Sequence, residues 1–332
     1  MQRDFPPSHH ILDHYSRCFK KLKRGVSKHL GKAPHKPVML LGVIRGIKQK
    51  EIMDNRIFIT PELLLNFRKI WSHLVDTEHI ENLTLPFFHL RSEPFWQLVA
   101  RPGMEPGITR SGSIKSFKNL RETVAYAQID PELFLLLQEP ETSRILEEQL
   151  LHQYFYTTRT NYFTQYNSIE ESQLEYQILN SSGTVYRERL LQLRKTIDES
   201  RYQEELFIRG GLFKRSIPKI YNHRCCISGM RIMATPNIQM IDACHIHPFS
   251  LSNDDTVPNG IALSPTLHRA FDRGLISITS DYKVKVSKLV NDKASKFTLS
   301  QFENQSIYLP EKEKWYPAME SLTWHQEQVF LG

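Results

Sequence analysis

Apolar and polar positions alternate along the chain in patterns that separate helix from strand. The run PVMLLGVI from Pro37 to Ile44 follows the polar GKAPHK, and with Pro34 and Pro37 fixing the backbone at its start it predicts a buried helix. Ile57 and Ile59 alternate with polar neighbours as in a strand, and after Pro61 the residues Leu64, Phe67, Ile70 and Trp71 recur on one helical face. LTLPFFHLRSEPFWQL, from Leu83 to Leu98, reads as two short β segments around a polar, proline-containing turn. Gly103, Gly107 and Gly112 then punctuate a flexible loop. One or two helices follow, with Asp130 as N-cap and Pro140 as a break. Tyr154 to Tyr176 is aromatic and polar without a period and reads as irregular. Mixed-charge helix resumes from Val185, with Gly210-Gly211 expected to stop or hinge it. LISITSDYKVKVS, from Leu275 to Ser287, alternates like strands. No internal repeat and no low-complexity segment is present.

At 332 residues and 40% hydrophobic, the chain is too long for one typical core and too apolar for disorder, so two folded domains are expected. The longest apolar runs fall short of the ~20 residues a membrane-spanning helix needs. The start, MQRDFPPSHHILDH, lacks the basic-then-apolar pattern of a signal peptide, which places the expected location in the cytoplasm. Cys18, Cys225, Cys226 and Cys244 have no disulfide-framework spacing and are read as free thiols. The net charge of +7 matters mainly through its distribution: Arg17 to Lys36 carries eight Lys/Arg and no acid, a density suited to phosphates.

The segment IDACHIHPFSLSNDDTVPNGIALSPTLHRAFDRG, Ile241 to Gly274, gathers three histidines, an Asn-Gly pair and several acids. Cutting a phosphodiester needs a base for the attacking water and a divalent cation for the scissile phosphate and leaving oxyanion. Neutral imidazole is a suitable base near neutral pH. His245, Asn259 and His268 can supply, in that order, a base on a strand, an asparagine that orients it, and a helix-borne metal ligand.

DACHIHP, then NGIAL, then HRAFDRGL resemble the HNH (ββα-metal) endonuclease pattern D-A-A-H-I-x-P, N-G-x-x-L, H-R-x-F-D-x-G-L, and KRSIPKIYNHRCCISGM is similar to its lead-in. The likeness covers Lys214 to Ser287. It implies that His245 is the general base, that Asn259 orients the ring or its loop, and that His268 ligates Mg²⁺ or Mn²⁺. Many such nucleases carry an aspartate immediately before the base, where this chain has Cys244. Asp242 is the first candidate to replace it, because period two puts it on the face of Cys244. His247 and Asp272, the latter one turn after His268, are the others. No C-x-x-C pair occurs, so the Cys₄ zinc site of some relatives is excluded by count and spacing.

Upstream, GKAPHKPVMLLGVIRG, LPFFHL and EPFWQL resemble, in that order, the sulfur-binding domain of phosphorothioate-dependent restriction endonucleases over Leu22 to Leu98. The resemblance places the sulfur contact on Leu85, Pro86, Phe87 and His89, a cation for the remaining charge on Arg110 or Arg91, and base reading on His35 and Lys36. Sulfur in place of a phosphate oxygen is larger and a poorer hydrogen-bond acceptor, so a small apolar pocket takes it at lower desolvation cost.

The fold class that follows is α+β: a mixed α/β recognition domain at 1–140, a helical linker at 141–205 and a ββα-metal nuclease domain at 206–332. The expected partner is double-stranded DNA carrying phosphorothioate, with no membrane association, and a homodimer is the simplest way to cut both strands. Two rivals stand beside this reading. Phe87, Phe88, Phe95 and Trp96 would suit a cage for a modified cytosine, and Cys244 in the aspartate's place would suit a DNA-binding protein whose nuclease has decayed.

Overall fold

The computed structural model describes residues 9–109, 113–163, 169–235 and 238–332. The chain divides into two compact units, Met1–Ser168 and Ile169–Gly332, so the helical stretch from 141 to 205 is shared between them.

The N-terminal unit is organised around α2 (His35–Lys48), nearly every residue of which is buried from Lys36 to Ile47. Pro34 and Pro37 sit at its start, as the sequence predicts. Before it come α1 (His9–Lys20) and a hairpin of β1 (Val26–Ser27) and β2 (Gly31–Lys32), so the basic tract is spread over a helix end, a hairpin and the α2 start rather than one helix face. After it, β3 (Arg56–Ile57) leads to α3 (Pro61–Leu74), capped by Thr60, whose Oγ1 accepts from Leu63 N at 3.2 Å. Leu64, Phe67, Ile70 and Trp71 are all buried there, packed against α2.

The next stretch departs from the expected pair of strands. Its first half is a helix, α4 (Thr84–His89), extended by a 3₁₀ turn at Leu90–Ser92, and only β4 (Trp96–Ala100) is extended. The Asn82 side chain accepts from Leu85 N at 3.0 Å, closing the first turn. Phe87 and Phe88 are both buried, whereas a half-exposed strand would bury only alternate positions. Then α5 (Glu105–Thr109) and α6 (Phe117–Thr123) lead into β5 (Val124–Ile129), which lies centrally in an antiparallel sheet of order β3-β5-β4. The unit closes with α7 (Pro131–Gln138) and α8 (Pro140–Tyr154), separated at Pro140 as expected. Asp130 precedes α7, but its carboxylate accepts the Tyr15 hydroxyl at 2.9 Å rather than capping the helix.

The C-terminal unit begins with α9 (Ile169–Asn180), helical where the sequence reads as irregular, then α10 (Gly183–Thr196) and α11 (Glu199–Ile220). α11 runs straight through Gly210-Gly211. Each glycine costs about 1 kcal/mol in a helix interior, and burial of Ile208, Leu212, Phe213 and Ile217 against the following strands outweighs it. A short ladder of β6 (Met233–Thr235) and β7 (Ile238–Gln239) precedes the central hairpin, β8 (Asp242–His245) and β9 (Gly260–Leu263). The single turn α12 (Phe249–Ser252) lies between its strands, and α13 (Pro265–Asp272) follows it, completing a ββα unit. The hairpin of β10 (Ile276–Ile278) and β11 (Val284–Val286) matches the expected strands, and α14 (Met319–Gln328) packs on β10. Among the described residues no helix is long and apolar enough to cross a membrane.

Candidate functional site

β8 and β9 pair with Asp242 opposite Leu263, Cys244 opposite Ile261 and His245 opposite Gly260. Successive strand residues project to opposite faces. Asp242 and Cys244 therefore face α13, and His245 faces α11. Gly260 is required by that second approach: a Cβ there would stand 2.8 Å from the Phe213 ring and closer still to Ile217. Its absence lets Phe213 lie flat on His245, with centroids 3.9 Å apart and planes 7° from parallel. The His245 Nε2 is 2.8 Å from Oδ1 of the buried Asp255, whose Oδ2 accepts from the Tyr186 hydroxyl at 3.4 Å.

On the α13 side, Cys244, His268 and Asp272 bring one donor atom each to within 4.8 Å of one another. The Cys244 Sγ lies 3.9 Å from Asp272 Oδ1, and His268 Nε2 lies 3.5 Å from Asp272 Oδ2. The i, i+4 spacing of His268 and Asp272 places both on the helix face turned to the strand. Asp242 stands at the other nitrogen, its Oδ2 3.2 Å from His268 Nδ1. Burial, and then the Asp272 carboxylate, push the Cys244 thiol well above its ordinary range. This environment favours a proton or a cation on the sulfur.

Asn259 is buried and makes three bonds to the loop between the strands. Its Oδ1 accepts from His247 N at 2.9 Å, and its Nδ2 donates to His247 O and Asp254 O, both at 2.9 Å. None of these goes to the His245 ring, so Asn259 fixes the path of the chain from β8 to Asp255. The His247 ring stacks on Trp324 at 3.9 Å. Two residues beyond the end of α13 lies Gly274, whose φ of +68° disfavours a side chain, and whose hydrogen side is filled by Val329 O. His325 is buried on Phe271, with Nε2 donating to Phe271 O at 3.1 Å and Nδ1 paired with Ser277 Oγ at 2.9 Å. Burial lowers its pKa to about 4.

Residues 225–279 match the HNH endonuclease family. The C-terminal unit thus carries an HNH endonuclease domain, and His245, Asn259 and His268 all lie within the matched segment. No curated protein matches the chain. One solved structure similar to it is described as a modification dependent TagI restriction endonuclease, at 20% identity and a TM-score of 0.28. The likeness covers 35% of this chain and 37% of that one, so the chain spans little more than a third of that protein's length.

In the N-terminal unit, a cleft of about 440 Å³ is lined by His35, Lys36, Leu85, Pro86 and His89, together with Lys23, Arg24 and Arg91. Six of the residues expected there from sequence, Arg91 included, are thus gathered on one concavity. Phe87, also expected there, is not part of the lining: it is fully buried, with its ring edge-on to Trp96, whose Nε1 donates to Phe87 O at 3.1 Å. Arg110 lies outside the described residues. Lys36 is buried, its Nζ held by Ser92 Oγ at 2.7 Å and Glu93 Oε1 at 2.5 Å. The His35 Nε2 donates to Ile80 O at 2.9 Å, and burial pushes its imidazole pKa down. Burial, then Arg91 and Lys36, lower that of His89. The Arg91 guanidinium lies 4.0 Å over Phe88 and donates to Ile108 O.

Sequence reasoning missed Asp255 and Glu93. Asp255 belongs to an acidic pair ten residues from His245, and no local spacing links the two. Glu93 is separated from Lys36 by 57 residues.

Proposed function

We propose that this protein is a modification-dependent DNA endonuclease, in which the HNH domain hydrolyses phosphodiester bonds and the N-terminal unit directs it to phosphorothioated DNA. The observation that supports the catalytic half is the placement of His245 and a Cys244/His268/Asp272 donor set on the two faces of one strand. His245 takes the proton of the attacking water. Cys244, His268 and Asp272 would hold a divalent ion such as Mg²⁺ or Mn²⁺. When bound, such an ion neutralises the scissile phosphate and stabilises the leaving oxyanion. Asp242, on the far nitrogen of His268, orients that ring, as carboxylates behind ligating histidines commonly do.

The cleft supports the recognition half. Leu85 and Pro86 give it an apolar wall suited to sulfur, while Lys23, Arg24 and Arg91 supply positive charge for the rest of the phosphate. An HNH core carries one nuclease site, so cutting both strands calls for two copies, and a homodimer on DNA is part of the proposal.

The test is cleavage of matched plasmids, unmodified, phosphorothioated or methylated at cytosine, with Mn²⁺. Cutting of the phosphorothioated plasmid alone is expected. Cutting of the methylated plasmid alone would replace sulfur by a modified base, and binding without cutting of any plasmid would mean a decayed nuclease.

A further inference from the structure

We infer that Asp255 is the positioning residue of the HNH site: it fixes the tautomer and the plane of His245 and leaves Nδ1 as the basic atom. This rests on the proposed role of His245 as the base.

The geometry restricts the ring on three sides. Asp255 Oδ1 stands 2.8 Å from Nε2, Phe213 covers one face in a near-parallel stack, and Phe249 lies 6.2 Å away at 51°. Among the described residues Nδ1 has no hydrogen-bond partner. The Asp255 side chain is only 2% exposed. An ionised carboxylate at such a depth is costly unless donors face it. Two donors do: the Tyr186 hydroxyl at Oδ2 and the imidazole at Oδ1. An acceptor-only carboxylate requires the proton of neutral imidazole to sit on Nε2, which leaves the lone pair on Nδ1.

Proton uptake from water at Nδ1 then produces an imidazolium whose charge is already faced by Asp255. The water loses one proton to Nδ1, the Nε2 proton stays in place, and Asp255 itself does not become protonated. Asn259 contributes at one remove. Its bonds to His247 and Asp254 set the loop that delivers Asp255 to the ring, whereas the ring itself touches the carboxylate.

The experiment combines a spectroscopic and a kinetic arm on the full chain. Long-range ¹H–¹⁵N spectra of histidine-labelled protein report the tautomer of each imidazole, with His245 assigned by its loss in His245→Gln. The expected result is a neutral His245 protonated on Nε2, with the preference lost in Asp255→Asn. A His245 protonated on Nδ1 in the unsubstituted protein overturns the inference, and this arm needs no substitution at 255. In the kinetic arm, phosphorothioated plasmid with Mn²⁺ is the substrate. Asp255→Asn should lower kcat by roughly 100-fold or more, within the range of a general base's contribution, with KM held within about threefold. If His245→Ala is inactive while Asp255→Asn turns over at the unsubstituted rate, the positioning role is refuted. If His245→Ala still cuts, the base assignment fails instead.

Discussion

Replacing Gly260 by alanine tests whether the stack of Phe213 on His245 is built by the missing side chain opposite. The new Cβ would stand 2.8 Å from two carbons of the Phe213 ring. Carbon pairs settle at about 3.5–4.0 Å, so the ring must retreat by roughly 0.7 Å or more. Overpacking a close-packed site of this kind costs about 1–3 kcal/mol. For a folding unit of this size, about 2–4 °C per kcal/mol converts that to a fall of roughly 2–12 °C in the melting of the C-terminal unit. Because the displaced ring is the one that covers His245, cleavage should fall further than stability does, and should fall at temperatures well below the melt. Differential scanning calorimetry and single-turnover cleavage measure the two effects. Phe213→Ala supplies the internal check. Alone it opens a cavity and destabilises, but combined with Gly260→Ala it removes the clash with the ring and leaves only that with the terminal methyl of Ile217, which can swing into the vacated space, so the double variant should be more stable than the sum of the single losses allows. An unchanged melt in Gly260→Ala, or strict additivity with Phe213→Ala, would refute the reasoning.

Three further outcomes are expected. Cys244 should give the metal site a soft donor: titration with Co²⁺ should produce a thiolate charge-transfer band that Cys244→Asp abolishes, and the same substitution should shift the cleavage preference from Mn²⁺ towards Mg²⁺. A Co²⁺ spectrum identical in the two proteins would exclude the sulfur. His325 should titrate near pH 4 by NMR, because its neutral form already satisfies both ring nitrogens. With a folded pKa depressed below the unfolded 6.5, its stabilisation is complete above that value and is lost as pH falls towards 4, by about 3 kcal/mol in all, and a midpoint above 6 would contradict this. Glu93→Ala should destabilise the N-terminal unit by about 3–5 kcal/mol in urea unfolding by stranding the buried Lys36 charge, whereas Lys36→Met with Glu93→Leu should recover most of the loss.

What was legible in the sequence was chemistry carried by fixed local spacing. His268 and Asp272 share a helix face because they are four residues apart, and Asp242 and Cys244 share a strand face because they are two apart. Helices with a clear polar face, such as α3, were equally visible. Elements decided by distant packing were less so. Phe87 and Phe88 look like strand residues until both are seen to be buried, and Gly210-Gly211 looks like a stop until the apolar side of α11 is laid on the hairpin. The Asp255–His245 and Glu93–Lys36 pairs had no periodic signature at all, since each is made by the return of the chain after a loop or a whole set of helices.

The division of labour across β8 also constrains how such a domain can vary. Cys244 and His245 are separated by one peptide bond and serve opposite faces. An insertion or deletion of a single residue within the strand would hand the imidazole to the α13 side and the thiol to the α11 side. Length changes can therefore be absorbed between the strands, from Ile246 to Pro258, provided the bonds of Asn259 and the return of Asp255 are kept, but not inside the four-residue ladder itself. Among related sequences the hairpin should be rigid in length, and the loop it carries should be the place where they differ.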